Sequence, residues 1–169
     1  MYLFRMLEIG CIFLSLSGSF AQKVSYDFDK NAKFSQFKTY RWVYIKGAEQ
    51  LDEQWDRRIR AALDAEFLKK GLSRMDDGKV DLYVGYQTAA AKEENIMSYS
   101  LHGAATLGDT TVYIGQLVVD LYDAATENLI WRGAVSKTID QRAKSEKRPK
   151  NLAKAVAKLL KDYPPEAKR

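Results

Sequence analysis

Few residues in this chain have the type and spacing that chemistry needs. His102 is the only histidine, so a multi-histidine metal site, a Ser-His-Asp triad or a Cys-His pair would each have to rest on it. It lies in a glycine-flanked polar stretch that reads as an exposed loop. Asp76, Asp77 and Asp81 form an acidic cluster, but the position of Gly78 does not match a calcium loop and the closing glutamate is missing, which leaves a solvated turn. Asp120 and Asp123, with Arg132 downstream, could make an ion pair or an anion site. Their plainer role is structural: Asp123 can accept from backbone amides two residues on, and Asp120 can face Arg132 across two strands. Arg142, Lys144, Lys147 and Arg148 are the candidate anion- or partner-binding residues. Tyr40, Trp42, Tyr83, Tyr113 and Trp131 could form an aromatic surface, though aromatics on strands usually pack. The chain has no phosphate-cradling glycine loop, paired-carboxylate motif or nucleotide fingerprint. No catalytic, cofactor-binding or metal-ligating residue is therefore assigned, and a non-enzymatic protein is expected.

At 169 residues the chain suits one domain that can bury a full core. Residues 1–21 read as a secretory signal: Arg5, an apolar run over 9–16, then small residues at minus three and minus one before Gln22. Glu8 breaks that pattern, and an amphipathic first helix is the other reading. The sequence around Cys11, the only cysteine, does not fit a lipidation signal, so no lipid anchor is expected there. Cleavage after Ala21 leaves residues 22–169 as a single cysteine-free domain, which excludes disulfides and thiolate chemistry, with no second segment long enough to span a bilayer. The overall net charge is +5, but from Lys137 onward eleven Lys or Arg stand against four Asp or Glu, a net +7. A basic end can meet anionic polymers, lipid headgroups or acidic proteins. For an exported protein this points to an envelope protein, an anionic envelope polymer or a peripheral membrane contact, and away from nucleic acid.

The elements that would position these residues follow from periodicity. VSYDFD (24–29) alternates as a short strand, DKNAKFSQF is turn-like with Phe34 and Phe37 as anchors, and TYRWVYI (39–45) is a second strand. Between 51 and 70 the period changes. Leu51, Trp55, Ile59, Leu63 and Phe67 recur every four residues, with Ala62 and Leu68 beside them, which predicts an amphipathic helix ended by Gly71 and Leu72. DLYVGYQT (81–88) is a third strand. Residues 89–111 show no sustained period and are expected to be an irregular connection, with at most a short strand near 96–101. Residues 113–139 form a hairpin of two alternating runs around a turn at 123–128. The basic loop 141–150 follows, then a second amphipathic helix on Leu152, Val156, Leu159, Leu160 and Tyr163, with Asn151 as its N-cap. Two one-sided helices and about five strands predict an α+β two-layer sandwich, a mostly antiparallel sheet with both helices on one face.

YDFDKNAKFSQFKTYRWV, a helix ending in KKGL, VDLYVGY, GQLVVDLYDAATENLIWRGAV and a helix running into YPP together resemble the domain of unknown function 4136 family. The most specific part is Gly115 to Gly133, in particular Asp120, Asp123, Trp131, Arg132 and Gly133. The resemblance implies an exported bacterial protein of a kind often carrying a lipid anchor. It implies no activity and no catalytic residue. The expected function is a non-enzymatic binding or interaction module of the periplasm. The alternative is a carrier holding a lipid or small apolar ligand between helices and sheet, which requires an interior left unfilled by Trp55, Phe67 and Trp131.

Overall fold

The computed structural model describes the backbone of residues 22–48, 51–101, 104–139 and 147–166, and side chains over the same ranges apart from 91–113 and 139. The first 21 residues, with Cys11, lie outside it, as do His102, Arg142 and Lys144. Six strands form one sheet in the order β1-β6-β5-β4-β2-β3. They are β1 (Lys23–Phe28), β2 (Thr39–Trp42), β3 (Ser73–Arg74), β4 (Leu82–Leu101), β5 (Ala104–Asp123) and β6 (Leu129–Ile139), with α1 (Glu53–Lys69) between β2 and β3 and α2 (Lys147–Leu159) after β6.

The sheet is mixed and has one strand more than expected. β1, β6, β5 and β4 are antiparallel neighbours, whereas β2 runs parallel to both β3 and β4. The cause is α1: a strand that leaves through a helix and returns beside itself comes back in the same direction. The larger correction concerns residues 89–111. They continue β4 and β5 into one long hairpin, in register from Leu82↔Asp123 to Leu101↔Ala104. β6 accompanies β5 only as far as Tyr113↔Ile139. Beyond that, among the described residues, the pairs from Glu93↔Val112 outward form a two-stranded arm, about 30 Å long at the rise of an antiparallel strand. The alanines, glycines and short polar residues of this stretch carry no apolar period of two, so the sequence does not mark the strands.

Both helices pack on the same sheet face. α1 buries Ile59, Leu63 and Phe67 and α2 buries Val156 and Leu159, against Leu82, Val84, Leu117, Val119, Leu121, Trp131 and Val135. Asp52 caps α1 by accepting the Trp55 N–H at 3.0 Å. At the other end Gly71 adopts φ +81° and the Leu72 N–H reaches back to the Phe67 carbonyl at 3.0 Å, which buries Leu72. Three expectations are corrected here. β2 ends at Trp42, although the Val43 N–H still donates to the Val84 carbonyl at 2.8 Å. Leu68 lies outside the α1 stripe and is 67% exposed. Asn151 is inside α2, which starts a turn earlier at Lys147, so it is no cap. Among the described residues no helix is long and apolar enough to cross a membrane.

Candidate binding groove and the residues around it

The Trp131-Arg132-Gly133 triplet divides its side chains between the two faces of the sheet, as strand alternation requires. Trp131 turns toward the helices, fully buried, and its ring lies over Gly133: a Cβ there would sit 2.2 Å from Cη2 and 2.7 Å from Cζ2. Arg132 turns outward. Its Nε donates to Asp120 Oδ1 at 2.6 Å and its Nη2 to Oδ2 at 2.7 Å, with the Tyr122 hydroxyl 3.4 Å from the same carboxylate. Asp120 is 0% exposed and Arg132 about half exposed. Desolvating a carboxylate is tolerable only with such a two-point partner, and the hydrogen bonds to Asp120 push the guanidinium pKa up. Asp123 Oδ1 accepts from the Ala125 and Thr126 amides at 2.8 and 3.3 Å, closing the turn into β6.

A second polar set lies along α1, where Asp56, Arg60 and Asp64 occupy one stripe at four-residue spacing beside the apolar one. Asp64 accepts from the Tyr40 hydroxyl at 2.5 Å and from Trp42 Nε1 at 2.9 Å; Asp56 accepts from the Tyr86 hydroxyl at 2.5 Å and from Arg60 Nε at 3.0 Å. The Arg60 guanidinium stacks over Trp42 and Tyr44, 5.1 and 5.0 Å from the ring centroids. Burial and the adjoining carboxylates raise the pKa values of Tyr40 and Tyr86. Burial pushes the Asp56 carboxyl up, but hydrogen bonds from Tyr86 and Arg60 outweigh it and hold the group below the usual range. Tyr44, Asp56, Arg60 and Tyr86 border a depression of about 440 Å³, in which Asp56 and Arg60 are engaged with each other and Glu53 with Arg57. Sequence reading gave Asp56, Arg60 and Asp64 no role. The available signal was their own spacing, facing a strand that carries Tyr40 and Trp42.

A groove of about 840 Å³, larger than that depression, lies between the helices and the sheet. Leu51, Trp55 and Ile59 form one wall, Arg148, Leu152 and Ala155 the other, and Thr88, Ala90, Gly115, Leu117 and Val135 line the sheet side. It exists because side-chain size changes along the sheet. At one end Tyr40, Phe67, Trp131 and Tyr163 fill the layer between helices and strands, with Tyr163 edge to face on Phe67 and Trp131 and Tyr40 tilted against Phe67. At the other, Thr88, Ala90 and Gly115 leave it open. The helices meet at their C-terminal ends, where Lys70 Nζ donates to the Lys161 carbonyl at 2.8 Å, so their first turns flank the groove. Lys137 and Arg148 are the charged residues lining it, and no Asp or Glu does so among the described residues.

The other predicted residues are dispersed. Lys147 and Arg148 open α2, and only Arg148 reaches the groove. Asp81 accepts from the Lys38 and Thr39 amides at 2.8 and 2.9 Å and from Thr39 Oγ1 at 2.9 Å, tying β2 to the start of β4. Asp76 instead pairs with Arg74 at 2.8 Å. Among the described residues no group of three His, Cys, Asp or Glu is arranged to hold a metal.

No curated protein matches the chain significantly. Among solved structures, a PDZ domain protein from Parabacteroides distasonis is similar with TM-score 0.56 and 16% identity over 86% of this chain, which spans only 36% of that protein. Two crystal forms of the PelC dodecamer from Paraburkholderia phytofirmans are similar with TM-scores 0.53 and 0.52 and 11% identity, over 83% of this chain and 95% and 96% of theirs. At such identities the likeness is one of fold. In sequence, residues 24–165 match the family model described as a domain of unknown function, DUF4136, so that the strands apart from Lys23, both helices and the Trp131-Arg132-Gly133 triplet fall inside the match and the chain belongs to that family.

Proposed function

We propose that this protein is a non-enzymatic binding module of the cell envelope whose ligand lies in the groove between the helices and the sheet. The observation that supports it is the groove itself: about 840 Å³, within the range of ligand sites, mostly apolar and bounded by preformed secondary structure. Phe67 and Trp131 fill the interior at the closed end, while Trp55 stands in the groove wall and leaves the space open. The envelope address rests on the signal-like character of residues 1–21. An environment-sensitive apolar dye, N-phenylnaphthylamine, tests the reading. Its fluorescence should rise with the full chain and fall back in Ala155→Trp, which fills the groove, while circular dichroism stays unchanged. No rise, or an equal rise in both proteins, would count against the groove.

The β4–β5 arm favours a second reading, that a partner protein docks by strand addition. Both of its edges lack a neighbouring strand among the described residues, and an isolated two-stranded ribbon is marginal in water. Cross-linking in cells that traps a protein on the arm, and loses it when the arm is shortened, would support this; identical cross-linking without the arm would remove it.

A further inference from the structure

We infer that the groove takes a single acyl chain ending in a carboxylate, a fatty acid, with Lys137 and Arg148 receiving the head. The inference rests on the groove being the binding site and adds the class of ligand. Shape sets the apolar part. The groove runs between the first turns of two helices over a lining of Thr88, Ala90, Gly115 and Leu117, which suits one slender chain. Each buried methylene then contributes by leaving water.

Charge sets the head. Lys137 on β6 and Arg148 on α2 both line the groove, from the sheet side and the helix side, with no carboxylate in the lining among the described residues. A zwitterionic phospholipid head would bring an ammonium with nothing to meet it, whereas a carboxylate meets cations only. The sequence of α2 points the same way. Its first turn carries Lys147, Arg148 and Lys150 and no acidic residue, the reverse of what the positive end of a helix favours. Such a local conflict is expected where a residue set serves a ligand rather than the helix. On the opposite wall Asp52 caps α1 by accepting from the Trp55 amide, while Glu53 and Asp56 line the neighbouring depression, where Asp56 is held by Arg60 and Tyr86.

The test is competition against bound N-phenylnaphthylamine on the full chain, using laurate, dodecanol and dodecyltrimethylammonium, which share one chain length and differ in head charge. Laurate should displace the dye at about tenfold lower concentration than dodecanol, as two partly exposed charge contacts allow, and the trimethylammonium compound should be weakest. High salt should shrink the preference. In the double variant Lys137→Gln, Arg148→Gln, laurate and dodecanol should become equal, while Lys137→Arg keeps the preference. Equal displacement by laurate and dodecanol in the unaltered protein would overturn the assignment of the head and leave the groove standing. If none of the three displaces the dye, the groove reading falls with it.

Discussion

Gly133 shows how one atom can decide whether this core forms. Its absent side chain is the space in which the Trp131 ring lies, with Leu159 Cδ1 also 2.9 Å from where a Cβ would be. Trp131 is fully buried and cannot swing away into solvent. Gly133→Ala should therefore destabilise by about 1–3 kcal/mol or more through overpacking, seen as a lower urea midpoint with an unchanged slope. Tyr163 predicts the opposite sign. Its hydroxyl is buried without a hydrogen-bond partner among the described residues, and burial pushes its pKa up. Tyr163→Phe removes an unsatisfied polar atom while keeping the ring contacts with Phe34, Phe67 and Trp131. Calorimetry should show it neutral to about 1 kcal/mol more stable. The pairing of Arg132 with Asp120 across the strands was legible in the sequence and is present in the structure, whereas the reason for Gly133 was not. Trp131 needs Gly133 only once the strands pair and the helices hold its ring against the sheet.

At the scale of elements, the join between β2 and β4 depends on Asp81. The Lys38 amide, with the Thr39 amide and hydroxyl, outweighs the effect of burial and holds the Asp81 carboxyl below its ordinary value. A depressed carboxylate contributes stability that is present above the unfolded-state pKa and lost as pH falls through the folded one. The difference in melting temperature between the wild type and Asp81→Asn should thus be large at neutral pH, about 1–3 kcal/mol in stability. It should shrink as pH falls below the ordinary Asp value of 3.8, and a difference independent of pH would contradict the assignment. Helix α1 was legible almost to the residue, because its stop signal is local: Gly71 supplies the left-handed turn and Leu72 the apolar clasp. Helix α2 was misplaced at its start because its first residues carry no apolar stripe. Asn151 is a good cap in isolation, but the helix begins at Lys147, among cations whose spacing carries no apolar stripe.

For the molecule as a whole, stability should reside in the two-layer body and not in the arm. Replacing residues 93–112 by Asn-Gly, so that a tight turn joins Lys92 to Tyr113, keeps every pair β5 makes with β6 and supplies the turn chemistry a hairpin wants. The melting temperature should change by less than about 4 °C, the equivalent of roughly 1 kcal/mol for a domain of this size, and a collapse of the fold would show the arm to be structural. The sequence alone determined what depends on neighbours along the chain: two amphipathic helices, the alternating strands, the turn at Asp123 and the basic end that includes Arg148. Periodicity records which side chains must be buried, and it survives without knowledge of the partner. Only the tertiary structure decided the parallel placement of β2, the continuation of β4 and β5 into an arm, the clustering of Asp56, Arg60 and Asp64 against β2 and β4, and the groove. Each depends on which segments become neighbours in space, and the groove on where large side chains give way to small ones across three strands and two helices. Such a difference in volume has no period in the sequence.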